Sequence, residues 1–177
     1  MKSLTFAFIL GCSLILLTGC EKKNGPAEAA LAAQTTAVAN QAVMAKWVEE
    51  LNKENMAYLD EVIHKDFVDH NAFPGVTPDK AGYISLLKLA HAEWFPGIQV
   101  KVIDMVAQGD KVALRLSVEA VHKGNVMGAP ATGKTLKWDA YAIYRLKDGQ
   151  LIERWEMLDS FAFMAQLGLA QMVPKAP

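Results

Sequence analysis

Apolar residues follow one period in the first half of the chain and another in the second. In three early segments they recur every three or four positions, the spacing of a helix that buries one face. These segments are 43–51, 56–63 and 83–94. From residue 98 onward apolar and polar residues alternate, the spacing of strands in a half-buried sheet. The alternation predicts strands at 98–107, 111–122, 135–146 and 150–159.

Turn and cap residues separate these elements. Gly109-Asp110 divides the first two strands and Asp148-Gly149 the last two, so each pair is predicted to form an antiparallel hairpin. Thr77-Pro78-Asp79 offers an N-cap, a proline at the first helical position and an acid in the first turn of the third helix. Apolar positions in 161–167 predict a short final helix. Helices followed by antiparallel strands indicate an α+β domain, in which one curved sheet wrapped around the helices leaves a pocket.

The N-terminus has the composition of a targeting segment. Lys2 precedes an apolar run at 4–17, and the motif Leu17-Thr18-Gly19-Cys20 ends it. The run is shorter than the roughly 20 residues that a membrane-spanning helix needs, so residues 1–19 are predicted to be a secretory signal peptide. The motif resembles the bacterial lipobox. That resemblance implies cleavage before Cys20, lipidation of Cys20, and a membrane-anchored lipoprotein of the cell envelope that faces the periplasm or the outside.

Cleavage at this point changes the cysteine chemistry and sets the domain limits. Cys12 is removed and Cys20 remains the only cysteine, so a disulfide within the mature chain, a thiol nucleophile and a thiolate metal site are excluded. Residues 20–37 are Ala-rich and are predicted to be the lipidated cysteine and a tether, or a frayed extension of the first helix, since Ala favours helix. The folded domain is predicted at 38–170 and a C-terminal tail at 171–177.

Charge and one motif bear on phosphate-containing partners. The net charge is −1 and no basic cluster stands out, so nucleic-acid binding has no electrostatic support. Residues 128–135 fit the phosphate-binding pattern G-x-x-x-x-G-K-[ST] letter for letter. Such a loop needs a helix after it, whereas residues 136–144 have the pattern of a strand. We therefore interpret 128–135 as a turn that binds no nucleotide.

Asp159 is the first candidate for acid or base chemistry. Along a strand side chains alternate between the two faces, so Asp159 shares a face with Trp155 and Met157. Those two residues favour burial, and a carboxylate in an apolar interior is costly unless it is paired, protonated or functional. The alternative is structural, because Asp159 precedes a short helix and Asp is a favoured N-cap.

Four histidines offer further candidates. His70 lies in a loop and His122 ends an apolar strand, so each either faces a cleft or has a structural role. His64 is predicted to be a surface residue or a C-terminal capping residue of the second helix, and His91 to be partly buried with a structural role. A metal site could draw on His70 and His122, but no ligand spacing such as H-x-x-x-H is present, and no metal is predicted.

The central strands carry three more polar or aromatic candidates. Arg115 either pairs with Glu119 on the solvent face or lines the concave face of the sheet. Tyr141 and Trp138 lie on opposite faces of their strand, so at most one of them faces a pocket.

Several short motifs, taken in order, resemble the SnoaL-like family of polyketide and ester cyclases. The resemblance covers about residues 42–168. Its pieces are Asp69-His70-Asn71 with Phe73-Pro74-Gly75, Phe95-Pro96-Gly97, Gly109-Asp110-Lys111-Val112 with Arg115, His122-x-Gly124, Pro130-x-Thr132-Gly133-Lys134, Tyr144-Arg145, Glu153-x-Trp155 with Asp159, and Gln166-Leu167-Gly168.

This resemblance implies a fold and a chemistry. The fold is the cone-like α+β barrel of the nuclear transport factor 2-like superfamily, with N-terminal helices packed on a curved antiparallel sheet around an apolar pocket. The family's cyclases use no metal or cofactor, and an aspartate at the position of Asp159 acts as general acid and base in an intramolecular aldol closure. His122 is expected to assist in catalysis, and the ligand-binding set is expected to be His70, Arg115, Trp155 and Tyr141. Members of the superfamily commonly pair through the sheet, so a homodimer is expected.

Two functions remain open at this point. One is a cofactor-independent acid/base enzyme, of cyclase, isomerase or lyase type, acting on a small hydrophobic carbonyl or ester compound. The other is a non-catalytic ligand-binding or envelope-interaction lipoprotein. A polar pocket around the candidate carboxylate favours the first.

Overall fold

Helices precede the sheet in the chain, as the change of period predicts. The computed structural model describes residues 25–171; the predicted signal peptide and Cys20 lie outside this range. The helices are α1 (Pro26–Asn52), α2 (Met56–Val62), α3 (Lys80–Leu89) and α4 (Ser160–Gln166), and a π-helical turn, Ala90–Trp94, continues α3. The strands are β1 (Ile63–Asp69), β2 (Gln99–Gln108), β3 (Lys111–Val121), β4 (Thr135–Lys147) and β5 (Gln150–Leu158).

The five strands form one open, curved sheet in the order β1-β5-β4-β3-β2. The strands β2 to β5 pair antiparallel and lie within one residue of their predicted limits. The α+β prediction is therefore confirmed. β1 pairs parallel to β5 and was not predicted. It is an edge strand whose register shifts between Ile63 and Val68. Apolar and polar residues therefore do not alternate regularly along it.

The Ala-rich segment after residue 25 is helical. α1 begins at Pro26, a position where proline is favoured, and its side chains stay exposed as far as residue 36. Ala37 is its first buried residue. Of the two alternatives for this segment, the structure shows the helical extension. No helix within 25–171 is long and apolar enough to cross a membrane.

The third helix begins two residues later than its motif suggests. Asp79 is the N-cap, accepting the Gly82 N–H at 2.8 Å, and Thr77 Oγ1 donates to the Asp79 carboxylate at 2.9 Å. The hydrogen bonds from the Gly82 backbone N–H and from the Thr77 side-chain hydroxyl lower the pKa of the Asp79 carboxyl group. The prediction of Thr77 as the cap was wrong, because the carboxylate of Asp79 is the group that reaches the free N–H.

The core lies between the concave face of the sheet and the helices. β3 contributes an alternating apolar row, and α1 packs Met44 and Trp47 against it. The middle of β4 carries only Ala140 and Ala142 on this face. These small side chains do not fill the space under the helices, and a cavity remains there. The buried row of β3 is Val112, Leu114, Leu116, Val118 and Ala120.

Candidate active site

A cavity of about 560 Å³ lies between the concave face of the sheet and the helices α1 and α3. This volume suits a small organic ligand. Its walls are mostly apolar and rich in aromatic rings, and a few polar groups are placed among them. The aromatic residues include Trp47, Phe73, Trp94, Phe95, Trp138 and Phe163.

A β-bulge in β5 decides which of its side chains face the cavity. Arg145 of β4 pairs with Glu153, but the next residue, Leu146, pairs with Leu151, so β5 holds one extra residue. An extra residue shifts the alternation by one position. Arg154, Glu156 and Leu158 therefore face inward beside Tyr144, Ala142 and Ala140.

The same bulge turns the predicted inward row outward. Trp155 pairs with Ile143 and Met157 with Tyr141 on the convex face of the sheet. Met157 borders the cavity but is 72% exposed, so most of its side chain faces solvent. The prediction that Trp155 and Met157 point into the interior was wrong, because it assumed unbroken alternation along β5.

Arg154 is the buried charge at the polar end of the cavity. It is 7% exposed, and its guanidinium lies over the Tyr83 ring at 4.3 Å. Its Nε lies 3.6 Å from Asp69 Oδ1 and its NH2 group 3.7 Å from Glu156 Oε1. Both distances exceed those of good hydrogen bonds, and Nε has no hydrogen-bond partner within residues 25–171. Arg154 therefore lines the cavity with a donor that no group in the described residues uses.

Glu156 is the only carboxylate among the described residues that line the cavity. Beside it lie the phenols of Tyr83 and Tyr144, both buried. Burial raises the pKa of Tyr83 and raises that of Tyr144 further, and the negative charge of Glu156 adds to both shifts. Both phenols therefore stay protonated at neutral pH and keep their O–H donors.

This arrangement combines a proton acceptor with donors for an oxygen atom. Glu156 can take a proton from a ligand carbon or oxygen, and Arg154 or a phenol can stabilise the negative charge that this leaves. The apolar walls strengthen these interactions, because they exclude water.

Asp159 lies outside this polar cluster. β5 ends at Leu158, and the Asp159 side chain is exposed and caps α4 by accepting the Ala162 N–H at 3.0 Å. It does not line the cavity, whereas its neighbours Leu158 and Ser160 do. The expectation that Asp159 points into an apolar interior was wrong, because the bulge had already reversed the faces and the strand stops one residue earlier.

His122 is buried beside the cavity and does not line it. Its Nδ1 lies 3.1 Å from Thr132 Oγ1, and its Nε2 has no hydrogen-bond partner in the described part of the chain. Thr132 belongs to the loop before β4, the segment that imitates a phosphate-binding motif. That loop leads into a strand and not into a helix, as predicted.

The predicted ligand-binding set lies on the convex face and its edge. His70 stacks on Trp155, with ring centroids 4.4 Å apart and planes 2° from parallel. Arg115 donates from Nε to Asp104 at 2.8 Å, and the adjacent Tyr141 is 56% exposed. Of the two alternatives for Arg115, it takes the solvent face, but with Asp104 and not Glu119 as its partner. None of the four lines the cavity.

The residues that sequence reasoning missed are Arg154, Glu156, Tyr83 and Tyr144. The alternating charges of Arg154 and Glu156 were the available signal, since two charged residues two positions apart share one strand face. No group of three His, Cys, Asp or Glu side chains within 25–171 is placed to hold a metal ion.

Comparison with known proteins places these features in a family. The model of the SnoaL-like polyketide cyclase family matches residues 41–167, while no curated protein is significantly similar to the chain. IdmH from Streptomyces antibioticus, a proposed polyketide cyclase, is 29% identical, with 73% of this chain and 98% of IdmH covered and a TM-score of 0.64. AclR from Streptomyces galilaeus, a proposed hydroxylase, is 27% identical, with 77% and 89% covered and a TM-score of 0.67. TsrD from Streptomyces laurentii shares the fold. It is 22% identical, with 75% of this chain and 97% of TsrD covered and a TM-score of 0.67. The chain belongs to the SnoaL-like polyketide cyclase family.

Proposed function

We propose that this protein is a cofactor-independent acid/base enzyme that acts on a small hydrophobic carbonyl or ester compound bound in the cavity. The observation that carries the proposal is the pair Glu156 and Arg154, a carboxylate and a guanidinium 3.7 Å apart at the polar end of an apolar cavity. Buried polar groups normally have partners, and a ligand oxygen would supply one for Arg154.

The proposed step is proton removal from a carbon next to a carbonyl group. Glu156 takes the proton, and the electron pair of the C–H bond moves to form an enolate, with the negative charge on the carbonyl oxygen. Arg154 or a phenol donates a hydrogen bond to that oxygen and stabilises the charge. The enolate carbon then takes back a proton or attacks a second carbonyl carbon to form a C–C bond, and the alkoxide produced by the attack takes the proton from Glu156.

The alternative function is ligand binding without catalysis. It is favoured by the position of Asp69, which is 3% exposed and lies with Glu156 beside Arg154. The two carboxylates would then serve only to neutralise the buried positive charge of Arg154. In that case Glu156 holds Arg154 in place and moves no proton.

The two functions differ in an exchange assay with 2-tetralone, a small aromatic ketone with exchangeable protons next to its carbonyl. Binding quenches the fluorescence of the tryptophans on the cavity wall, and NMR in D₂O follows the loss of those protons. The proposed enzyme binds the ketone and speeds the exchange above the rate in buffer. Binding without faster exchange would support the alternative, and no binding would contradict both.

Lipid anchoring remains a proposal that rests on the N-terminal motif. We propose that the mature chain begins at a diacylated Cys20 and is held in the cell envelope by that lipid alone. Intact mass spectrometry of protein from membranes is expected to show a mass that lacks residues 1–19 and carries the lipid. Cys20→Ser is expected to leave the protein unprocessed. A soluble mature chain with an unmodified Cys20 would contradict the proposal.

We also propose that the protein is a homodimer that pairs through the convex face of the sheet. Two rows of paired residues cross this face: Val106-Ala113-Ile143-Trp155 and Asp104-Arg115-Tyr141-Met157. Val106 is 66% exposed and Ile143 43%, and adjoining apolar side chains on a surface are typical of an interface.

A charged substitution tests this interface. Ile143→Lys places like charges near each other across a two-fold axis, so light scattering is expected to show a dimer for the wild type and a monomer for the variant. The control is Leu31→Lys, which charges an apolar residue on α1 that is 68% exposed, and the dimer is expected to persist. A wild-type monomer at high micromolar concentration would contradict the proposal.

A further inference from the structure

His91 is a buried titratable residue that the proposed reaction does not use. It lies in the π-helical turn after α3, is 4% exposed and lines the cavity. Its Nδ1 is buried, has no hydrogen-bond partner within 25–171, and lies 3.9 Å from Glu54 Oε1. Glu54 does not line the cavity. Because the two ring nitrogens point in different directions, an Nδ1 directed at Glu54 leaves Nε2 for the cavity.

The backbone of Glu54 has a conformation that is unfavourable for any residue other than glycine. It follows the C-terminus of α1 with φ at 57°, in the left-handed region that favours glycine. Its carboxylate also accepts the Gly97 N–H at 3.3 Å, just beyond the π-helical turn. A glutamate at a glycine position, with its carboxylate beside a buried imidazole, indicates that this side chain has a specific role.

The π-helical turn is itself held in place. The Trp94 carbonyl accepts the Lys123 N–H at 2.9 Å and the Gly124 N–H at 3.3 Å. A Cβ on Gly124 would lie 2.4 Å from the Glu93 carbonyl oxygen, so only glycine allows this approach. The turn that carries His91 is therefore fixed against the loop after β3. π-Helical turns of this kind frequently occur at functional sites.

We propose that His91 is a second ligand-contacting residue, that the charge of the nearby Glu54 carboxylate favours the tautomer with its proton on Nδ1, and that Nε2 accepts a hydrogen bond from a hydroxyl group of the ligand. The proposal rests on the proposed function, because it requires a ligand in the same cavity. It adds a chemical feature to that ligand: an O–H donor on the side that meets His91, besides the oxygen that meets Arg154. Burial lowers the pKa of His91, although the charge of Glu54 opposes this, so the ring is neutral and Nε2 keeps its lone pair at neutral pH.

The tautomer of His91 can be measured in the purified wild-type chain. ¹⁵N NMR of the imidazoles is expected to show a protonated Nδ1 and an unprotonated Nε2, the reverse of the usual preference of free histidine. The signal is assigned by its loss in His91→Gln. Glu54→Gln is expected to shift the population toward the Nε2–H form, a change that a purely packing role for either residue does not produce. An Nε2–H tautomer in the wild type would overturn the proposal.

Ligand contact is tested with 2-naphthol and naphthalene, which differ by one hydroxyl group. The wild type is expected to bind 2-naphthol about tenfold more tightly, the size of one good hydrogen bond. His91→Phe is expected to remove most of this preference, and the control Asp159→Asn, which lies outside the cavity, to keep it. If Glu156→Gln removes the preference and His91→Phe keeps it, the hydroxyl binds at the other end and the proposal is wrong.

The outcomes separate this proposal from the proposed function. If neither compound binds the wild type, the ligand cavity itself is wrong and the role of His91 falls with it. If both bind and His91→Phe leaves their ratio unchanged, only the role of His91 is wrong. Thermal unfolding of each variant shows whether a lost preference comes from lost folding.

Discussion

Glu156→Gln is expected to lower the rate of 2-tetralone proton exchange by about 10²–10⁴-fold, the usual contribution of a general acid or base. The amide has nearly the shape of the carboxylate but cannot accept the proton. Binding of the ketone, followed by tryptophan fluorescence, is expected to change only a few-fold, because Arg154 and the phenols still contact the carbonyl oxygen. A large loss of rate with little loss of binding marks a group that acts in the transition state.

Asp159→Asn is the matched control for this change. Asp159 caps α4 from an exposed position, and Asn is an equally good cap, so both stability and exchange rate are expected to survive. The opposite pattern, in which Asp159→Asn stops the exchange and Glu156→Gln does not, would contradict the role of Glu156. It would identify Asp159 as the general base instead.

Arg154→Met is expected to destabilise the fold by about 3–5 kcal/mol, the usual effect of breaking a buried ion pair from one side. Asp69 is 3% exposed, and the substitution leaves its charge buried beside apolar atoms. The ring of Tyr83 also loses the cation above it. For a domain of this size the expected fall in melting temperature is roughly 10 °C, measured by calorimetry or circular dichroism.

Two variants make this prediction specific. Arg115→Met removes an equally large cation whose partner, Asp104, is 68% exposed, and exposed pairs contribute only about 0–1 kcal/mol. The double variant Arg154→Met with Asp69→Asn removes the stranded charge as well and is expected to recover part of the lost stability. A melting temperature for Arg154→Met no lower than that of Arg115→Met would contradict the buried pair.

The fold was predictable because its signals are local. Alternation over β2 to β5, the Gly-Asp and Asp-Gly turns, and helical spacing around Trp47 are all visible within short windows. β1 was missed because it is an edge strand with a shifted register, and its parallel partner lies more than 80 residues away in the chain. Such a pairing leaves no mark on the local pattern.

The site was less predictable because one inserted residue controls it. The bulge in β5 moves Arg154 and Glu156 to the concave face and Trp155 to the convex face. Nothing in the residues 150–158 requires a bulge, since it depends on how β5 pairs with β4 near Leu146. The family motif around Glu153 and Trp155 located the correct strand, but alternation from that motif selected the wrong face.

The cavity arrangement also depends on contacts between distant parts of the chain. Asp69 reaches Arg154 only through the parallel pairing of β1 with β5, and His91 faces the cavity from the π-helical turn. Helical periodicity placed His91 beside an apolar stripe but contained no sign of Glu54, which lies 37 positions earlier in the chain and 3.9 Å away in space.

A crystal structure of the protein with 2-tetralone tests the central claim most directly. The ketone is expected in the cavity, with its carbonyl oxygen within hydrogen-bond distance of Arg154, Tyr83 or Tyr144 and the carbon next to the carbonyl facing the Glu156 carboxylate. A ketone bound on the convex face beside Trp155 and Tyr141, with the cavity left empty, would contradict the account.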